Sequence, residues 1–192
     1  MNINLTEIMR LITNLIRTGT VSEVDKVNWL CRVKTGDLET NWINWLTLRA
    51  GSSRIWWKPT VGEQVVLLSL GGNLETAFAL PAIYSDTFPP PSDSEDGSVT
   101  AYPDGGWFEY DPARQLWLIK GVQNIVIEGA ENMTLNTQRF VLNAEQADIN
   151  AAVTIKGSVT QTGGTLSSNG VVLDAHKHGG VKFGVDVSGG PQ

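Results

Sequence analysis

The sequence predicts an all-β protein in two parts, opened by one short helix: a small closed barrel, then a stacked β repeat built jointly by several identical chains. Three observations carry this reading. All seven tryptophans (29, 42, 45, 56, 57, 107, 117) lie before residue 118, and no proline occurs between Pro112 and Pro191. From Thr20 to Ser85 short apolar runs alternate with Gly, Pro, Asn and Asp clusters, the pattern of strands joined by tight turns. From Gly121 to Leu173 apolar residues come in pairs two positions apart, Ile125/Ile127, Met133/Leu135, Phe140/Leu142, Ala147/Ile149 and Val153/Ile155, at intervals of 8, 7, 7 and 6 residues. Side chains at i and i+2 share one face of a strand, so each pair is an inward patch on a very short strand. A single-chain solenoid turn needs about 20 residues or more. Several chains that each supply part of every turn resolve the mismatch, which makes the chain an obligate oligomer.

Composition narrows the function. The chain has 192 residues and a formal charge of −6, with a pI near 4.9. Nonspecific nucleic-acid affinity rests on clustered Lys and Arg, so an acidic chain argues against it. The single cysteine, Cys31, excludes an internal disulfide framework. No apolar run is long enough for a transmembrane helix, and the N-terminus lacks a signal-peptide pattern, so a soluble product of the cytoplasm is expected.

Taken in order, residues 1–19 hold the helix. Leu5, Ile8, Met9, Leu11, Ile12, Leu15 and Ile16 follow i, i+3, i+4, i+7 spacing over residues 4–17, with Asn4 as cap, Glu7 at the third helical position and Gly19 beyond the end. Its apolar stripe either packs on its own domain or docks on a partner protein at one end of an assembly. Residues 20–86 are expected to form the barrel, with a bulky aromatic core. Its strands are read at Thr20–Val24, Val27–Lys34, Trp42–Arg49, Ile55–Trp57, Gln64–Leu70 and Thr76–Tyr84. Five or six short strands in this span fit an OB-type barrel. OB barrels often bind oligonucleotides through aromatics interleaved with basic residues. Trp56-Trp57-Lys58 with Arg49 and Arg54 is the one cluster of that kind, and core or interface tryptophans are the plainer reading.

Residues 87–104 read as a Pro/Ser/Asp connector; Asp93, Glu95 and Asp96 lack the spacing of a calcium loop. Residues 105–173 form the β repeat. They begin with a hairpin, Gly106–Tyr110 and Gln115–Leu118, that turns at Asp111-Pro112. Glu109 and Asp111 flank that turn, and two such carboxylates are more simply a solvated edge than an acid/base pair. Toward its end the repeat turns to small polar residues, Val159-Thr160-Gln161 and Thr165–Ser168, as a tapering bundle of chains requires.

Residues 174–192 close the chain with its only two histidines, His176 and His178, around Lys177. One chain offers two metal ligands, too few to close any common site. Three chains around an axis would offer six nitrogens. A metalloenzyme using His176, His178 and Asp174 as an open facial triad is the competing class.

The segments TNLIRTGTVSEVD, NWLTLRAGSSRIWWKPTVGEQVVLLSLGGNLETAFALPAIYSD, TGGTLSSNGVVLDAHKH and the tail ending in GGPQ resemble the central spike, or baseplate assembly protein V, of contractile-tailed bacteriophages and R-type bacteriocins. The resemblance implies a homotrimer with an N-terminal OB-fold domain, an intertwined triple-stranded β-helix and an apex that buries one iron ion. It implies that the His-x-His of all three chains holds the iron, here His176 and His178. Some members also hold calcium and chloride near the apex. The implied role is non-enzymatic: a spike at the baseplate tip of a phage or bacteriocin particle, held to the trimeric hub by its OB end and driven through the bacterial outer membrane. No nucleic-acid partner is expected.

Overall fold

A computed structural model describes residues 4–129, 131–173, 175–177, 180 and 184. The chain divides into two compact units, residues 1–128 and 129–192. The fold is mostly β with one short helix, as the sequence predicts.

Helix α1 spans Leu5–Leu15, and Asn4 Oδ1 accepts from the Thr6 amide at 3.2 Å. Glu7 does not reach back to complete a capping box; it turns to Arg10, with Nη2 to Oε1 at 2.7 Å. The helix ends two residues earlier than its periodicity extends, because Ile16 and Arg17 already belong to strand β1 (Ile16–Asp25). Gly19 therefore does not terminate the helix. It sits within β1, where a Cβ would come within 2.5 Å of the Lys34 carbonyl oxygen and of Val33 Cγ1. Its missing side chain lets β1 bend and serve two neighbours.

The barrel is built from β1, β2 (Leu30–Thr35), β4 (Ile43–Trp45), β5 (Gln64–Ser69) and β6 (Ala77–Ile83), with the two-residue β3 (Leu38–Glu39) attached to β2. The first half of β1 pairs with β5 and the second with β2, both antiparallel. β6 pairs antiparallel with β5 and parallel with β4, and β4 pairs with β2. The ring thus closes as β1-β2-β4-β6-β5, a five-stranded barrel of the OB type. Alternation along β2 and β5 sends Cys31, Val33, Val65 and Leu67 inward, where they meet Val21, Ile43, Ala77 and Ala79.

That core contains no fully buried tryptophan, contrary to the expectation of a bulky aromatic interior. Trp29, Trp42, Trp56, Trp57 and Trp117 are exposed, and Trp45 and Trp107 half-buried. The interior of a five-stranded barrel is too narrow for indoles and takes β-branched and small side chains instead. Ile55–Trp57 is not a strand either: the loop before it closes with the isolated bridge Ala50↔Arg54, and the Ile55 amide donates to the Arg49 carbonyl at 3.0 Å. Trp42–Arg49 contributes only its first part, Ile43–Trp45, to the sheet.

The second sheet of the first unit is a meander of β7 (Ser98–Ala101), β8 (Trp107–Asp111) and β9 (Leu116–Lys120). β7 falls inside the stretch read as connector. Its four residues, Ser-Val-Thr-Ala, are a weak sequence signal that pairing with β8 turns into a strand.

Packing of α1 onto the barrel depends on one glycine. The 3-10 turn Leu70–Gly72 lies under the helix, and a Cβ on Gly72 (φ 75°) would overlap the Leu11 carbonyl. Gly72→Ala is expected to lower stability by about 1–3 kcal/mol, combining left-handed strain with displacement of the helix. Calorimetric unfolding checks this; an unchanged transition would contradict the helix seat.

In the second unit, only β10 (Ser167–Ser168) and β11 (Val171–Val172) pair among the described residues. Ile125 and Ile127 at the end of the first unit, and Met133, Leu135, Phe140, Leu142, Ile149, Val153 and Ile155 in the second, are each 58–70% exposed. The short strands expected here do not form within one chain, since a strand needs a neighbour to take its amides and carbonyls and none is supplied by the same chain.

Candidate functional site

The β10–β11 hairpin turns through Asn169 (φ 48°) and Gly170 (φ 83°), the two left-handed residues of a type I′ turn, for which Asn-Gly is the preferred pair. The Leu173 amide extends the pairing by donating to the Leu166 carbonyl at 2.8 Å. The backbone then turns: the Ala175 amide approaches the Val172 carbonyl at 3.4 Å. His176 is therefore placed by a turn and not by a continuing strand. Its Nδ1 lies 2.9 Å from the Leu173 carbonyl oxygen. In that contact Nδ1 carries the proton and donates, which leaves the lone pair on Nε2, the form in which a histidine ligates metal. The donor chemistry fits a transition metal. His178 and Asp174 lie outside the described residues. Among the described residues no three His, Cys, Asp or Glu side chains gather at one point.

The carboxylates of the β8–β9 turn are committed to structure. Arg114 Nε bonds Asp111 Oδ2 at 2.6 Å, its Nη2 reaches Glu109 Oε1, and Trp107 Nε1 donates to Glu109 Oε2 at 2.7 Å. Arg114 holds the Asp111 carboxyl below its ordinary value, first through the side-chain hydrogen bond and then through donation from the Arg114 amide. A catalytic acid needs the opposite shift. The depressed value means that this pairing stabilises the turn fully above the ordinary aspartate range and less as pH falls through the lowered value. A carboxyl titration followed by NMR should place the Asp111 midpoint below the ordinary aspartate range and raise it toward that range in Arg114→Ala, which removes the side-chain bond and keeps the backbone donors. A wild-type midpoint at the ordinary value would contradict the ion pair.

The aromatic and basic cluster of the barrel is divided. Trp56 meets Trp45 edge-on at 6.0 Å, while Trp57 stacks on Tyr102 at 6.1 Å with planes 6° apart. Trp29, Trp45, Trp56, Arg49 and Arg54 line an open groove of about 560 Å³. Trp29 holds a left-handed backbone (φ 58°), which sequence reading did not anticipate; no turn glycine marks the position. A continuous base-stacking platform is not formed by Trp56-Trp57.

Helix α1 bears on two expectations left open by its sequence. Asn14 is buried and accepts from Arg17 Nη1 at 3.0 Å, and Arg17 Nε donates to Thr35 Oγ1 at 2.9 Å. The helix thus seats a polar edge on the barrel and leaves Leu5, Ile8, Met9, Ile12 and Leu15 exposed. Of the helix's apolar residues only Leu11 is half-buried, so packing of the apolar stripe on its own domain, one of the two expectations, is met at that residue alone.

Comparison with known proteins bears on both ends of the chain. A family model described as the type VI secretion system/phage-baseplate injector OB domain matches residues 17–84. A second, described as the GpV apex motif, matches residues 170–192. The spike protein of Escherichia phage P2 is 40% identical over 196 residues, covering 92% of this chain and 93% of that protein.

Proposed function

The chain belongs to the phage baseplate spike protein V family, and from that premise we propose that it is the membrane-piercing central spike of a contractile tail, acting as a homotrimer without catalysis. The observation that carries the reading is the row of exposed apolar pairs from Ile125 to Ile155. A soluble chain rarely leaves so much apolar surface open, and copies of itself, in register, cover it with matching pairs. In this reading the repeat is an intertwined triple-stranded β-helix, and no chain unravels without separating from two others. That suits a part loaded mechanically when the sheath contracts and the tube drives it into an outer membrane. The OB barrel binds the baseplate hub.

His176 and His178 of three chains would hold one iron at the apex. The bound ion would add ligation free energy that exists only when all three chains are present. The contact that supports this reading is at His176, where Nδ1–H donates to the Leu173 carbonyl oxygen and orients the ring. Asp174, the third member of the facial-triad alternative, lies outside the described residues.

Gold-labelled antibody to this chain, applied to contracted particles, tests the placement. Label at the distal tip of the exposed tube is expected. Label on the sheath or fibres would overturn the spike reading.

A further inference from the structure

We propose that the exposed stripe of α1 is a contact between copies of this chain, so that three α1 helices pack together in the assembled trimer. The inference rests on the trimer proposed above and adds a second contact zone to it.

Leu5, Ile8, Ile12 and Leu15 are spaced 3, 4 and 3 residues apart, the a/d pattern of a helix that packs along another helix, and Met9 widens the stripe at the adjoining e position. All five are exposed, Leu5 at 71% and the others at 37–55%. The stripe carries no charge. The two charged residues of the helix, Glu7 and Arg10, lie off it and pair with each other at 2.7 Å. A face with no net charge meets an identical copy without repulsion, which a stripe flanked by one sign would not. The opposite edge is already committed, since Asn14 and Arg17 bond into the barrel. The helix cannot roll over to bury the stripe on its own domain without stripping those groups of partners.

An 11-residue helix is too short to associate in isolation. Here the barrel holds it folded, through Gly72 and the Arg17 bonds, and the repeat holds its copies at high effective concentration. Both requirements for a short helical seam are thereby met.

Cross-linking of the full-length protein tests this. Ile8→Cys places a thiol on the stripe and Thr13→Cys one off it; both positions are exposed. The native Cys31 is fully buried, and burial, with the Glu63 charge second, pushes its thiol up to about 11, so it stays unreactive. With a short bismaleimide, Ile8→Cys should give covalent dimers in high yield and Thr13→Cys at least tenfold less. Native mass spectrometry of the same samples reports chain number. Trimers in which Ile8→Cys and Thr13→Cys link equally poorly would overturn the seam and leave the trimer standing. Monomers would overturn the trimer and the seam together. Loss of Ile8→Cys cross-linking on adding Ile12→Asp, in protein that remains trimeric, would support the seam over chance collision.

Discussion

Replacing His176 and His178 together with Ala is expected to reduce bound iron from one ion per trimer to none while the three chains stay together. In the proposed centre each chain gives two imidazoles and nothing else, so the double substitution removes every ligand. His176→Ala alone leaves half of them, which is too few to retain the ion against dialysis with a chelator. In the proposed trimer the repeat, not the metal, would bury most of the shared surface, so the chains are expected to stay together. Acid acts in the same direction as the mutation: a protonated imidazole has no lone pair, so the metal is lost as pH falls and retained as it rises. Elemental analysis of the purified variant reads the result. Stoichiometric iron in the double variant would remove both histidines from the site.

Charging the repeat should have the opposite profile, with the metal lost only because the assembly is lost. Phe140 and Leu142 are 68% and 62% exposed in the single chain. A Phe140→Asp, Leu142→Asp variant would therefore cost a lone chain almost nothing. In a triple-stranded repeat the same substitutions bury six carboxylates around one axis. Each unpaired buried charge costs several kcal/mol, on the order of 3–5, so the trimer should fall apart by a factor too large to rescue with concentration. Light scattering on the eluting peak would show monomers, and the barrel's tryptophan emission should be unchanged. Asn143→Asp, on the alternate side of the strand, is the control and should remain trimeric. A trimer that tolerates the Phe140/Leu142 change would contradict the inward assignment of the pairs.

Much of this was legible in the residues, and the exceptions have physical causes. The barrel strands Gln64–Ser69 and Ala77–Ile83 announce themselves by continuous apolar runs between glycines and polar turns. The Asn169-Gly170 turn is legible too, because few pairs other than Asn-Gly adopt two successive left-handed conformations easily. The tryptophans misled: bulk reads as core, yet the volume inside five strands is set by closure geometry that no local pattern records. The helix stayed undecided for a similar reason. Its 3.6-residue period is real, but period alone does not say whether an apolar stripe faces its own barrel or another molecule; the Asn14–Arg17–Thr35 bonds decide that, and they join residues 18 apart as well as neighbours. β7 went unread because Ser98–Ala101 has little strand signal without its partner β8. The apex was visible only as spacing. His176 and His178 are two residues apart in sequence, and which nitrogen of His176 carries the proton depends on a backbone turn at Leu173–Ala175 that spacing does not encode.

The most direct test of the central claim is native mass spectrometry of the purified full-length protein, read for chain number and bound-metal mass in one spectrum. Three chains with a single iron are expected. Monomers, or one metal per chain, would contradict both the intertwined repeat and the shared apex.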